Sequence, residues 1–346
     1  MSRNVLVVAH TGRKEARDAL RQAVPELRAR SFSVYMTDAP VEEINGYGVE
    51  AFTPAPGKPG VRIEDFEIVM VLGGDGTILR AAELVFGTTV PILGINLGHV
   101  GFLAESERDD LTQAVARIAN RDYQVEERRL LEVFVYRPGF AEPIKDWALN
   151  EAAVEKSEAA RMLEVAISVD NRPLSSFGCD AVITATATGS TAHAFSAGGP
   201  IIWPDVSAKV LVPIAAHALF ARPIVVGPRT DFMIDVLQRS PNGGILVTDG
   251  RRQTALAPGS RVIIKTAHTP VLFARLNTVS FADRLVNKFN LPVVGWRGID
   301  ERNPLAGQDL HGQESEFDLP PTSQLTLAPD APQPGHPETS PTTEVD

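Results

Sequence analysis

Apolar and polar positions alternate along the chain in two regimes, followed by a stretch with no regime at all. In the first, short apolar runs alternate with helical periodicity. Asn4 to Ala9 has the pattern of a buried strand, and Ala16, Leu20, Val24 and Leu27 then recur on one helical face. Ser33 to Met36 reads as a second strand, and the Gly- and Pro-rich stretch 46–60 as a loop. Ile68 to Leu72 is a third apolar run. It gives way to a helix expected over 77–86 through Ile78, Leu79, Ala82, Leu84 and Val85, and Val90 to Ile95 is a further strand. Leu111, Val115 and Ile118 mark one more helix. Alternating strands and helices predict an α/β domain with a parallel sheet, whose ligand crevice lies beyond the carboxyl ends of the strands.

Near Tyr123 the period changes from helical to alternating. Leu131–Tyr136, Val165–Val169, Gly244–Val247, Val262–Lys265 and Val271–Arg275 are short, β-rich and separated by Gly, Pro, Asn or Asp turns, which predicts a mainly antiparallel β domain. Phe281 to Phe289 turns helical again and could pack back on the first domain. The expected boundaries are an α/β domain over 1–125, a β domain over 126–280, a returning segment over 281–302 and a tail over 303–346.

Composition changes the picture mainly in the tail. Of the net charge of −10, residues 303–346 hold eight acids and no Lys or Arg, which leaves −2 for the rest; the tail also holds eight of the 26 prolines. With few apolar residues it cannot offset its ordering entropy and is expected to be disordered. The near-neutral body has no basic run of the kind that marks nucleic-acid binding. No apolar run reaches 18 residues and no signal peptide precedes the first strand, so the expectation is a soluble, cytoplasmic protein without membrane contact. The single cysteine, Cys179, excludes an internal disulfide and any cysteine-rich metal site, and a buried structural thiol is its expected state.

Candidate chemistry begins where the third apolar run stops, at Gly73-Gly74-Asp75-Gly76-Thr77. Glycines at a strand-to-helix turn let backbone N–H groups approach an anion, and the helix start adds its dipole. An acid beside a phosphate site points to catalysis rather than binding alone, although Asp75 or Thr77 could equally act as a helix cap. The chain lacks a P-loop, a Gly-x-Ser-x-Gly elbow, a His-Glu-x-x-His helix and a full dinucleotide fingerprint. Asn150-Glu151 offers polar groups suited to ribose hydroxyls or an adenine edge. The run from Thr184 to Pro200, with Asp180 upstream, gathers small residues, hydroxyls and glycines that let backbone pass close to a ligand. His99 and His217 read as core or loop histidines.

The motifs Gly-Gly-Asp-Gly-Thr at 73–77, Asn-Glu at 150–151 and Thr-Gly-Ser-Thr-Ala-x-x-x-Ser-Ala-Gly-Gly-Pro at 188–200, in this order and spacing, resemble the NAD kinase family. Asn96 to Leu103, Thr248 to Arg252 and the end from Phe281 to Gly298 resemble it too. The first motif is shared with diacylglycerol, sphingosine and phosphofructokinase-type kinases; the second and third single out NAD kinase. The resemblance implies an enzyme that phosphorylates the adenosine 2′-hydroxyl of NAD with ATP and a divalent metal cation, Mg²⁺, on a homodimer or homotetramer. The implied fold is a Rossmann-like α/β domain with a parallel sheet, then a mainly antiparallel β-sandwich, in agreement with the two regimes. It further implies Asp75 as general base in contact with NAD, and Gly73, Gly74, Gly76 and Thr77 at the ATP phosphates. Gly76 and Arg80 would lie against the dinucleotide phosphates, and Asn150, Glu151 and Thr191, Ala192, His193 and Ser196 against the adenosine. Arg161, Asp180 and Ala215 would complete the NAD site, in part across a subunit boundary. No residue is assigned as a dedicated metal ligand.

Asp75 could instead orient the hydroxyl or hold the metal, and the choice between ATP and polyphosphate as donor is not legible. The chain departs from the usual Thr-Pro-Thr-Gly-Ser-Thr-Ala-Tyr in having Ala187 for the proline and His193 for the tyrosine. The first change loosens the unbound loop; the second shrinks a stacking surface. Two alternatives remain at this stage, a lipid kinase that shares the first motif and a catalytically silent dinucleotide-binding regulator.

Overall fold

In the computed structural model, residues 3–37, 46–53, 60–97, 101–104, 106–107, 111–240, 242–276 and 280–291 are described. The expected tail at 303–346, the loop residues 54–59, His99 and the returning segment beyond 291 lie outside them. Residues 1–291 belong to one compact unit.

The N-terminal part is built on strands β1 (Arg3–Ala9), β2 (Phe32–Thr37), β3 (Glu50–Ala51), β4 (Ile68–Leu72), β5 (Ile92–Asn96) and β6 (Ser106–Glu107), all paired in parallel. The order β3-β2-β1-β4-β5 is that of a nucleotide-binding half-sheet. Helices lie on both faces. Val5, Val7 and Ala9 pack with α1 (Lys14–Ala29) and α3 (Leu111–Asn120), while Leu6 and Val8 pack with α2 (Asp75–Val85). Burial on both faces is why these strands read as unbroken apolar runs instead of alternating ones.

The sheet is completed from far along the chain. β7 (Gln124–Arg128) pairs antiparallel with β20 (Val271–Arg275), which runs parallel to β5 at Phe273 and Ile92. The sequence pattern assigns 271–275 to the β domain, but Val271 and Phe273 pack under α2, and Ala274 on the opposite face. A short apolar β run specifies burial and not which sheet supplies it, so its periodicity alone could not reveal this crossing.

Between the two halves of that sheet the chain forms a β-sandwich. One sheet has the order β15-β14-β13-β10-β17-β18, the other β12-β11-β16-β19-β8-β9. The first comprises β10 (Glu151–Lys156), β13 (Ala181–Thr186), β14 (Lys209–Ile214), β15 (Ile224–Val226), β17 (Gly244–Thr248) and β18 (Arg252–Leu256). The second comprises β8 (Leu131–Tyr136), β9 (Ile144–Ala148), β11 (Leu163–Val169), β12 (Arg172–Cys179), β16 (Phe232–Val236) and β19 (Arg261–Thr266). Val133, Val135, Val154, Val165, Val182, Leu211, Leu246, Ile234 and Ile264 meet between the sheets. β13 is buried on its other face as well, where Ile183 and Ala185 pack on Ala194 and Ile202 of the 188–202 loop. Cys179 is fully buried among the sandwich residues, and burial pushes its thiol up to about 12. Helix α5 (Phe281–Phe289) has the bounds the periodicity predicts and returns to the first domain through ring contacts of Phe102 with Phe281 and Phe289.

Close packing of α2 on the sheet fixes where the first motif stands. A Cβ on Gly94 of β5 would lie 2.6 Å from Ile78 Cδ1 and 3.1 Å from the Ala104 Cα. Gly94→Ala is therefore expected to lower stability by about 1–3 kcal/mol, as overpacking of a filled core does. Urea unfolding of the two proteins measures it.

Candidate active site

The strand-to-helix turn after β4 lays the first motif along the wall of a cavity of about 920 Å³. Gly73, Gly74, Gly76, Thr77 and Arg80 line it, with His10, Arg13, Glu15, Asn96 and Arg251 among the others. The glycines differ in purpose. A Cβ on Gly73 would lie 2.6 Å from Thr77 Oγ1, so this glycine lets the turn close, whereas Cβ atoms on Gly74 and Gly76 would meet open space. Gly74 is the N-cap of α2, and Ile78 N–H bonds back to its carbonyl at 3.2 Å.

Asp75 is not a cap. It opens α2 between two cavity-lining glycines and turns its carboxylate to the segment Gly101–Ala104, where the Phe102 N–H donates to Oδ2 and the Leu103 N–H to Oδ1, both at 3.3 Å. A Cβ on Gly101 would stand 2.4 Å from Oδ1, so only glycine lets this segment approach so closely. Among the described residues each oxygen therefore has one donor and retains acceptor capacity.

The second and third motifs are brought into direct contact. Thr186 at the end of β13 bonds through its Oγ1 to the Leu149 carbonyl at 2.6 Å, and its N–H to the Asn150 carbonyl at 2.9 Å. Gly189 passes so close to Asn150 that a Cβ would lie 2.0 Å from that carbonyl oxygen. The loop continues into a helical turn, α4 (His193–Ser196); Thr191 and Ala192 just before it are half-buried, and His193 and Ser196 on it are exposed. The His193 backbone N–H faces the Glu151 carboxylate and favours its charged form.

Asn150 and Glu151 are in turn held by Asp249, a residue that composition and pattern do not single out. Asp249 sits at φ 51°, where aspartate is tolerated better than most side chains. Its carboxylate accepts N–H bonds from Leu149 at 2.9 Å, Asn150 at 2.7 Å and Glu151 at 3.3 Å. Arg252 adds a bond at 3.4 Å and also reaches Asp146, the Trp147 carbonyl and, at 2.7 Å, Glu83 of α2. Arg251 bonds the same Glu83, and Phe86 stacks on Trp147 at 4.4 Å. The signal that could have found Asp249 is its Asp-Gly turn, which falls in a stretch already similar to the family.

Two carboxyls are thus buried side by side, Glu151 at 6 % exposure and Asp249 at 5 %. Burial pushes Asp249 upward against three N–H donors and Arg252. Glu151 has fewer donors, and among the described residues its Oε2 is buried without a hydrogen-bond partner. Burial first, then the charge of Asp249, pushes its carboxyl up to about 7. The proton of the pair therefore belongs on Glu151.

The remaining expected residues stand elsewhere. Asp180 forms an ion pair with Lys156 at 2.6 Å and its N–H bonds to Ile214, next to the exposed Ala215; Arg161 is exposed on the following turn. Glu151 pairs with Ala185 and Glu155 with Ala181, so Asp180 lies at the opposite end of β10 from Glu151. That separation is about 17 Å along the strand. Within one chain these three residues are not brought to the other two motifs.

Known proteins share this architecture. Family models for the ATP-NAD kinase N-terminal domain and the ATP-NAD kinase C-terminal domain match residues 5–123 and 149–276. An NAD kinase of Bifidobacterium longum (strain DJO10A) is 48 % identical over 309 residues, 89 % of this chain and 88 % of that protein. An NAD kinase of Thermobifida fusca (strain YX) is 50 % identical over 301 residues, 86 % of this chain and 92 % of that protein. Yeast NADH kinase, solved with NADH, has the same fold with a TM-score of 0.74 at 22 % identity, over 85 % of this chain and 89 % of that one. An NAD kinase from Archaeoglobus fulgidus, solved with ATP, gives a TM-score of 0.60 at 26 % identity, over 83 % of this chain and 97 % of that one.

The buried acid pair makes stability depend on pH. The native state holds a proton on Glu151 up to about pH 7, whereas an ordinary Glu releases it near 4.5. Native protein binds the extra proton in that window, so stability falls as pH rises through it. Glu151→Gln removes this contribution and is expected to be the more stable protein at about pH 8, by on the order of 2 kcal/mol. Urea unfolding at about pH 5 and pH 8 reads the difference, which should nearly vanish at the lower pH.

Proposed function

The chain belongs to the NAD kinase family, and on that premise we propose that Asp75 accepts the proton when the γ-phosphate of ATP passes to the adenosine 2′-hydroxyl of NAD. The observation that carries this reading is the seat of Asp75. It lies between two glycines of the large cavity, on the first turn of α2, with both oxygens held but neither saturated.

In this reading the triphosphate lies along Gly73, Gly74, Gly76 and Thr77, where the helix start and the absent side chains favour an anion. Arg80 and Gly76 serve the phosphates of the dinucleotide. Asn150 and Glu151 meet the adenosine ribose, with Thr191, Ala192, His193 and Ser196 beside the base. A carboxyl that titrates near 7 can both donate to and accept from sugar hydroxyls, and the unpartnered Oε2 is the atom such a hydroxyl would satisfy. As the new O–P bond forms, the hydroxyl proton moves to Asp75 and the bond to the β-phosphate oxygen breaks, ADP leaving with its electron pair. The transition state is loose, so the protein mainly aligns the groups and takes the proton late.

Among the described residues no group of three or more His, Cys, Asp or Glu is set to hold a metal ion, and Glu15 is the acidic residue lining the cavity. Mg²⁺ would then be held chiefly by the phosphate oxygens of ATP. When bound, the ion offsets charge on the β- and γ-phosphates. No helix among the described residues is long and apolar enough to cross a membrane. A cytoplasmic location, where ATP and NAD are met, belongs to the same proposal.

Self-association belongs to it as well, as a homodimer or homotetramer in which Arg161, Asp180 and Ala215 of one subunit complete the NAD site of another. The support is their distance from Glu151 along β10, together with exposed Met162, Leu174, Leu219 and Phe220 on nearby strands and turns. Leu219→Glu with Phe220→Glu is expected to shift the protein to monomer on sizing chromatography and to raise the KM for NAD; an unchanged elution volume counts against the shared site.

Asp75→Asn keeps the shape and removes the base. Turnover should fall by about a hundredfold or more, the usual scale of general-base catalysis, while NAD binding by calorimetry stays within about threefold of the parent. Near-normal turnover in that variant would remove the proton-acceptor role.

A further inference from the structure

Of the two N–H groups that hold Asp75, that of Leu103 belongs to a peptide whose carbonyl, on Phe102, is also held, from the other side. Arg284 Nη1, on α5, donates to the Phe102 carbonyl at 3.2 Å and to the Ala104 carbonyl at 3.5 Å; Arg275 Nη1 donates to the Leu103 carbonyl at 3.4 Å. The Phe102 carbonyl and the Leu103 N–H are two ends of one planar peptide group, so fixing the oxygen fixes the direction of the N–H. A guanidinium on that carbonyl and a carboxylate on that N–H also polarise the peptide in the same sense, and both bonds strengthen.

Aromatic contacts bind α5 to the same segment. The Phe102 ring lies 5.8 Å from that of Phe281 and 5.6 Å from that of Phe289. Phe289 lies 4.4 Å from Phe195 in the acceptor loop, and Phe281 lies 4.7 Å from Trp203 just beyond it. One helix therefore braces both the segment that holds Asp75 and the loop against Asn150. Arg284 also faces Glu126, Arg128 and Arg275 across a small cavity, and Glu126 pairs with both other arginines. The opposing charge keeps this cluster together without drawing Arg284 off the carbonyls.

We propose that Arg284 is a positioning residue for Asp75, acting through the peptide between Phe102 and Leu103. It touches neither substrate. It sets the Leu103 N–H that helps orient the carboxylate, and the direction of that carboxylate determines how well it meets the departing proton. This rests on the reading of Asp75 as proton acceptor.

Steady-state kinetics of the full chain with Arg284→Gln, Arg284→Lys and, in parallel, Asp75→Asn test it. Arg284→Gln is expected to lower kcat by about tenfold to a hundredfold, the scale of a misplaced catalytic group, with the KM for ATP and for NAD within about twofold. Arg284→Lys should recover part of that loss, because an ammonium reaches one of the two carbonyls. If Gln at 284 prevents folding, the Lys variant carries the same test, lowered kcat at unchanged KM. An inactive Asp75→Asn beside an Arg284→Gln of parental kcat overturns the positioning role and leaves the proton-acceptor reading standing. So does a loss shared by kcat and both KM values that Lys does not relieve, since that is the mark of a merely structural role. A fully active Asp75→Asn removes the premise and the proposal with it.

Discussion

The joint between the two halves of the molecule depends on one buried carboxylate. Asp249 turns back at the end of β17 and gathers the N–H groups of Leu149, Asn150 and Glu151, the point where β10 begins. Arg252, three residues on, carries that anchor outward to Asp146, to the Trp147 carbonyl and to Glu83 on the helix that begins with Asp75. Trp147 completes the contact by stacking on Phe86 of the same helix and taking the Arg252 guanidinium over its ring at 4.5 Å. Without Asp249 three buried N–H groups would lose their acceptor at once, and an unsatisfied buried donor costs more than a made bond contributes. Glu83 and Phe86 would then have no fixed surface to meet. The spacing of the glycine-rich turn from the Asn-Glu corner therefore rests on this turn of chain.

The same anchor explains why Glu151 is unlike an ordinary glutamate. Two carboxyls cannot both be charged in so little water, and Asp249 has the donors to hold the charge. Among the described residues, Glu151 keeps one buried oxygen without a partner beside the third motif. A buried polar atom in that state is destabilising unless a ligand satisfies it, so on the proposed reading the protein tolerates here a cost that substrate binding would relieve. Stability and recognition pull in opposite directions at this residue, which is common where a site is built for something absent from the fold itself.

What was legible in the sequence follows from the range of the interactions involved. Gly73 to Thr77, Asn150-Glu151 and the run 188–200 are local clusters of unusual composition, and the helices and parallel strands are written in apolar period. The partners of Asp75 are 27 and 28 residues away, and those of Asp249 about a hundred. A backbone N–H carries no residue identity, so no composition or spacing announces that Phe102 and Leu103 serve as donors. Gly101 gives the nearest hint, because a glycine there is forced by the approach of a carboxylate, but in sequence it reads as one more turn residue. The sheet that holds β20 is illegible for a related reason: its burial pattern fits either sheet, and only the path of the chain decides.

Asp75 and Asp249 use one device to different ends. Each is an acid near a turn, held by successive backbone N–H groups from a distant segment. At Asp249 an arginine is added, and the donors occupy the carboxylate on every side, as suits a group that only has to stay in place. At Asp75 the donors are two neutral amides, and the arginine is displaced by one peptide, onto the carbonyl behind them. The displacement matters physically. A guanidinium in contact with the carboxylate would hold it strongly but would oppose the transfer of a proton to it, since a cation beside the oxygen favours the charged form. Set one peptide back, the same charge still fixes the direction of the Leu103 N–H, while the carboxylate keeps lone pairs open to a hydroxyl. Orientation without direct pairing is what a proton acceptor needs and a structural anchor does not, and under the proposed role of Asp75 the two aspartates divide along that line.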